Sequence, residues 1–125
     1  MAHETKEFDL LTFRGPSSTV FTGRPQGEVA REQLNLDQLD KLDIEIKFRV
    51  PKDTTTITPS FYLGLLFDSI NKIGFDNYRS KYIFDFGDMD AERKEILTKD
   101  IIEGERNAVN TVKGKRGLNI FLNHK

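Results

Sequence analysis

The sequence predicts a single α/β domain, a mixed sheet of four or five strands with helices mainly on one face, and three observations carry that expectation. Apolar Leu42, Ile44, Ile46, Phe48 and Val50 alternate with Asp43, Glu45, Lys47 and Arg49, which makes 42–50 a strand with one buried and one wetted face. Leu63, Leu66, Phe67, Ile70 and Ile73 then recur at spacings of three and four, the mark of a helix with one apolar side. Strand-like and helix-like stretches alternate along the rest of the chain, and a helix between two strands requires a crossover, hence parallel pairs. Doubly wound sheets give continuous apolar strands, so the strict alternation at 42–50 argues for cover on one side only.

In chain order, residues 1–6 are polar and read as a flexible tail, and Phe8, Leu10, Leu11 and Phe13 make 7–14 the first strand. Gly15, Pro16, Ser17 and Ser18 break it; 19–22 fits a short second strand, and Gly23-Arg24-Pro25-Gln26-Gly27 reads as a turn. From Glu28 the pattern is helical through Val29, Leu34, Leu36, Leu39 and Leu42, with Asn35 and Asp37 dividing it because both compete for backbone hydrogen bonds. After the strand at 42–50 comes a hydroxyl-rich loop. It runs into a helix that Thr58 caps, Pro59 opens and Gly74 stops. Residues 75–80 read as a connection and 81–86, rich in aromatic rings, as a strand ended by Gly87. Asp88 or Asp90 caps a helix whose Leu97, Ile101, Ala108 and Val112 share one side, supported by Ile102 and Val109, with Thr98 as an alternative start of a second piece. Gly114 and Gly117 bracket a basic turn, 118–122 alternates as a final strand, and 123–125 is a polar tail.

Composition narrows the function. A length of 125 residues without a compositional break fits one domain with one core. The net charge of -1 gives no general pull toward nucleic acid or anionic lipid. The chain has no cysteine, which excludes disulfides, thiol nucleophiles and thiolate metal sites and is compatible with a reducing compartment; cytoplasm is the expected location. No stretch has the length of a signal peptide core or a membrane span. The two histidines, His3 and His124, stand in the tails, so neither a zinc site nor a Ser-His-Asp triad assembles, and no metal, cofactor or enzymatic activity is expected.

Thr58 and Ser60 fall where free N–H groups and the positive end of a helix dipole collect, which suits either simple capping or an anion. Phe61 and Tyr62 follow, as partner anchors if exposed or core residues if buried. Gly23, Arg24, Gly27 and Glu28 form a second candidate, in which Arg24 suits a carboxylate or phosphate, against the plainer reading of a structural turn. Arg31 and Glu32 read as members of a surface ion-pair set with Arg24 and Glu28. Asp85-Phe86-Gly87 imitates the metal-binding triplet of protein kinases, but the chain is too short for that fold and lacks its catalytic loop; a cation at Asp85, Asp88 and Asp90 is the minor alternative to a strand end and cap. Lys113, Lys115 and Arg116, with Arg106 and Lys125, form a basic cluster that reads as a solvated turn.

Several of these segments together resemble a bacterial STAS-like domain related to the STAS fold of anti-sigma-factor antagonists. The resemblance lies in Thr22-Gly23-Arg24, Gly27-Glu28, Arg31-Glu32, the strand at 42–50, Ile57-Thr58-Pro59-Ser60-Phe61 and Leu65-Leu66-Phe67-Asp68. It implies a non-enzymatic regulatory module that binds a protein partner, such as a histidine-kinase-like ATPase, another regulator or a second copy of itself, through 54–62. It also implies Ser60 or Thr58 as a phosphoacceptor, although Pro59 stands where that family usually carries the acceptor hydroxyl and no acidic residue precedes it. The alternative is a sensor that holds a small anion or nucleotide at the same helix end.

Overall fold

The structure, a computed structural model, describes residues 4–15 and 17–123 and, in the last helix, side chains through Gly114. Strands β1 (Thr5–Asp9), β3 (Glu45–Arg49) and β5 (Tyr82–Asp85) form the main sheet in the order β1-β3-β5, parallel throughout. Strands β2 (Val20–Phe21) and β4 (Thr56–Ile57) pair in parallel as a separate small sheet. The helices are α1 (Arg24–Gln33), α2 (Leu36–Leu39), α3 (Pro59–Ile73), α4 (Phe75–Lys81) and α5 (Ala91–Asn123). Among the described residues no helix is long and apolar enough to cross a membrane.

The predicted α/β class holds, and the period-two pattern does what it implies within β3, which is shorter than the expected 42–50: Leu42 is 50% exposed and lies before the strand. The register aligns Phe8 with Phe48, Phe48 with Phe84 and Ile46 with Tyr82, so these side chains share one face. Ile46 and Phe48 are fully buried there, and Phe48 packs on Tyr82 and Phe84 with ring centroids 5.7 and 5.3 Å away. Burial of one such side chain stabilises the fold by about 1.5–3 kcal/mol. The opposite face carries Glu7, Glu45, Lys47, Arg49, Ile83 and Asp85, all half-buried or exposed.

Helix α3 is the centre of the core and packs against both α1 and α5. At its crossing with α1 two glycines let the backbones touch. A Cβ on Gly27 would lie 2.2 Å from the Phe61 carbonyl oxygen, and one on Gly64 would lie 2.2 Å from the Arg24 carbonyl oxygen. On the other side a Cβ on Gly104 would lie 2.5 Å from the Tyr62 ring, so α5 rests directly on that ring. Leu97, Ile101, Ala108 and Val112 of α5 are buried as their spacing predicts, whereas Ile102 is 46% exposed.

The differences from expectation are local. The first strand starts two residues earlier and ends at Asp9, whose carboxylate accepts the Leu11 N–H at 2.9 Å and turns the chain into a short 3-10 helix over Leu11–Phe13. Thr5 and Lys6 belong to β1 and not to a tail. The glycine-bracketed turn at 23–27 is the first turn of α1, because Gly27 serves helix packing and Pro25 suits a helix start. The break at Asn35 is found, with Asn35 in the left-handed region at φ 59°. The connection at 75–80 is α4, begun directly after Gly74. The final strand at 118–122 is absent. Helix α5 runs through Gly114 and Gly117 to Asn123, and five alternating residues do not by themselves separate a strand from a helix turn. The single mixed sheet is two parallel ones, because the hydroxyl-rich loop contributes β4.

Candidate functional site

The loop after β3 is held from two sides. Arg14, buried over the Phe21 ring, donates from Nη1 to Asp53 Oδ1 at 2.7 Å and to Thr54 Oγ1 at 3.0 Å. That hydrogen bond holds the Asp53 carboxyl below its ordinary range. Thr55 N–H donates to the Thr19 carbonyl at 2.8 Å and the two hydroxyls meet at 2.9 Å, which aligns β4 with β2. Asp100 of α5 accepts the Ile57 N–H at 3.0 Å. The Thr58 N–H donates to the Phe21 carbonyl at 2.9 Å, and α3 starts at the next residue.

Parallel strands β2 and β4 thus launch α1 and α3 from the same end. Contacts advance in the same sense along both helices, with Arg24 and Gly27 against Phe61 and Gly64, then Arg31 against Leu65 and Ser69. Two helix N-termini therefore sit side by side, and their partial positive charges add. Thr58 spends its Oγ1 as a cap, accepting the Phe61 N–H at 3.2 Å, which is the plain reading of that residue. Thr58→Ala is expected to destabilise the protein by about 1 kcal/mol in urea denaturation, as other lost N-caps do. Ser60, in the first turn of α3, is exposed, as are Arg24 at the start of α1 and Glu28 one turn later.

The structure separates the predicted site residues into two groups. Thr58, Ser60, Gly23, Arg24 and Glu28 come together at this end, with Arg24 Nε 3.6 Å from Glu28 and its guanidinium 5.7 Å from the Phe67 ring. Phe61 and Tyr62 are 1% and 0% exposed, and Gly27 is closed against α3, so these three shape the core beneath the surface and are not exposed anchors. Phe61 instead packs on Phe21, and the Tyr62 hydroxyl donates to that of Tyr78 at 2.6 Å. Burial pushes both phenols up.

Sequence reasoning missed a buried polar cluster one turn further along. The Arg31 side chain is 7% exposed and spans α1, α2 and α3. Its Nη1 donates to Ser69 Oγ at 2.8 Å and to the Leu65 carbonyl at 3.0 Å; its Nη2 donates to Asp37 and Asp40 at 2.7 and 3.0 Å. Asp40, with a side chain 3% exposed, also accepts from Ser69 at 2.7 Å and from Tyr82. The reading of Arg31 as a surface ion-pair residue is therefore corrected. Ser69 was the available signal: it interrupts the apolar side of α3 between Leu66 and Ile70.

The remaining candidates are engaged locally. Asp85 accepts the Gly87 N–H at 2.9 Å, Asp90 caps α5 through the Arg93 N–H at 2.8 Å, and Asp88 lies 3.8 Å from Lys52. Among the described residues no group of three or more acidic or histidine side chains gathers as a metal ion would need. Arg106 pairs with Glu103 at 3.3 Å. His3, His124 and Lys125 lie outside the described residues, as do the side chains of Lys115 and Arg116. Comparison of the chain with family models, with curated proteins and with solved structures gives no match.

Proposed function

We propose that the protein is a non-enzymatic regulatory module of STAS-like type, acting in the cytoplasm, that recognises a protein partner with the paired first turns of α1 and α3. The observation that carries this reading is the exposed Ser60 on a first helix turn that packs against the start of α1, where two helix dipoles converge and the exposed Arg24–Glu28 pair offers polar groups at the surface. The resemblance of 22–32 and 57–68 to STAS-like sequences supports the same surface, and it points to a kinase-like ATPase as the partner class.

The test uses the full chain as bait in an extract of the cell that makes it. Ser60→Glu and Glu28→Lys are each expected to lose the partner that the unaltered chain retains. Ser60→Glu should keep its stability within about 0.5 kcal/mol, since an acid in a first helix turn is electrostatically favourable, whereas Glu28→Lys, which gives up the exposed Arg24 pair, should lose no more than about 1 kcal/mol. Unchanged recovery with both variants removes this surface from consideration. Phe61→Ala would probe the core and not the contact.

A further inference from the structure

A second surface lies along the outer edge of β5. We propose that this edge docks an extended peptide that alternates apolar and acidic residues and joins the main sheet as a fourth strand.

The backbone comes first. The strand order ends at β5, and the Asp85 carbonyl accepts the Val50 N–H at 2.9 Å on the β3 side. In a parallel ladder that bond turns Ile83 and Asp85 inward and Phe84 outward. Tyr82 N–H is taken by the Tyr78 carbonyl, and the Phe86 carbonyl accepts the Met89 N–H at 3.3 Å. The Tyr82 carbonyl, both backbone groups of Phe84 and the Phe86 N–H are thus directed away from β3, where no strand among the described residues pairs with them, the arrangement that an added strand satisfies.

The two sides of this edge differ in chemistry. On the core side a groove of about 240 Å³ runs between β5 and α5, floored by half-buried Phe84 and Phe86 and walled by Thr98 and Ile101, with Arg79 and Glu105 at one end. Toward the Gly87 end of β5 a hollow of about 280 Å³ shares Phe84 and Phe86 with that groove but adds Lys47, Lys94 and Asp85, and the Asp85 carboxylate accepts the Gly87 N–H at 2.9 Å. Two ammonium groups against one occupied carboxylate favour an anion. Successive side chains of an added strand point to opposite faces, so one set enters the apolar groove and the other meets the lysines. Apolar–acidic alternation is the pattern that satisfies both.

The test measures fluorescence anisotropy of a labelled, end-capped peptide of about nine residues alternating Val and Glu, titrated with the full chain. The same composition in two blocks, and the alternating peptide N-methylated on the amides of one edge, should each bind about tenfold more weakly or worse. Lys47→Glu with Lys94→Glu should weaken the Val/Glu peptide about tenfold and strengthen a Val/Lys peptide. If that double variant melts below the parent, the N-methyl comparison on the unaltered chain decides alone. No binding of the alternating peptide, or equal binding of the alternating, block and N-methylated forms, overturns the proposal.

Discussion

Arg31→Met is expected to lower the free energy of unfolding by about 3–5 kcal/mol, because it strands Asp40 as a buried charge without its cation. The lost cation alone does not set the size. Four acceptors, namely Asp37, Asp40, Ser69 and the Leu65 carbonyl, share one planar guanidinium, which is why Arg31→Lys should recover little: a single ammonium cannot reproduce that fork. Adding Asp40→Asn to Arg31→Met should restore a substantial part of the loss, and the double-mutant cycle in urea measures the coupling.

The pH dependence has a definite sign. Asp37 is held below its ordinary carboxyl range, first by the hydrogen bond from Arg31 and then by that from Lys72. A carboxylate with a depressed folded pKa contributes stability above its unfolded value and loses it as pH falls through the folded one. The gap between the native protein and Arg31→Met should therefore narrow as pH falls below about 4. A loss under about 1 kcal/mol at neutral pH, or a gap that widens in acid, contradicts this description of the cluster.

The second large effect concerns the α1–α3 crossing. In an exposed helix Gly→Ala stabilises by about 1 kcal/mol. Here the sign should reverse, because each new Cβ meets a carbonyl oxygen at 2.2 Å and backbone cannot swing aside as a side chain does. Gly27→Ala and Gly64→Ala should each cost about 1–3 kcal/mol net or prevent folding, the usual range for overpacking. The pair together should cost less than the sum, since the first substitution already parts the helices. Because parting them also separates the first turns that flank Ser60, partner retention should fall in the single variants that still fold. Stabilisation by either alanine would show that the helices are not in backbone contact.

Much of this was readable in the sequence where one physical rule acts alone. Alternation through Ile46 and Phe48 gave β3 and its open face; Thr58, Pro59 and Gly74 gave both ends of α3; of the two cap candidates Asp88 and Asp90, the second starts α5. The errors fall where tertiary contact overrides local signals. Gly27 looks like a turn residue, and its absent side chain is instead required by a neighbouring helix that lies 37 residues later at Gly64. Phe61 and Tyr62 directly follow exposed Ser60 in sequence, yet one helical step turns them under α1 and α5. Strands as short as β4 carry too few residues for a period to show. Arg31 resembles its surface neighbours Arg24 and Glu32, and only the polar Ser69 within an apolar helix side hints at a buried partner.

Amide hydrogen exchange, with and without the purified partner that the bait retains, tests the central claim most directly. Protection is expected in the first turns of α1 and α3 and in the strands that lead into them, roughly 19–28 and 55–63, with the open face of the main sheet unchanged. Protection confined to β1 and β3, or none at either helix start while the complex forms, would contradict the assignment of the Ser60 surface.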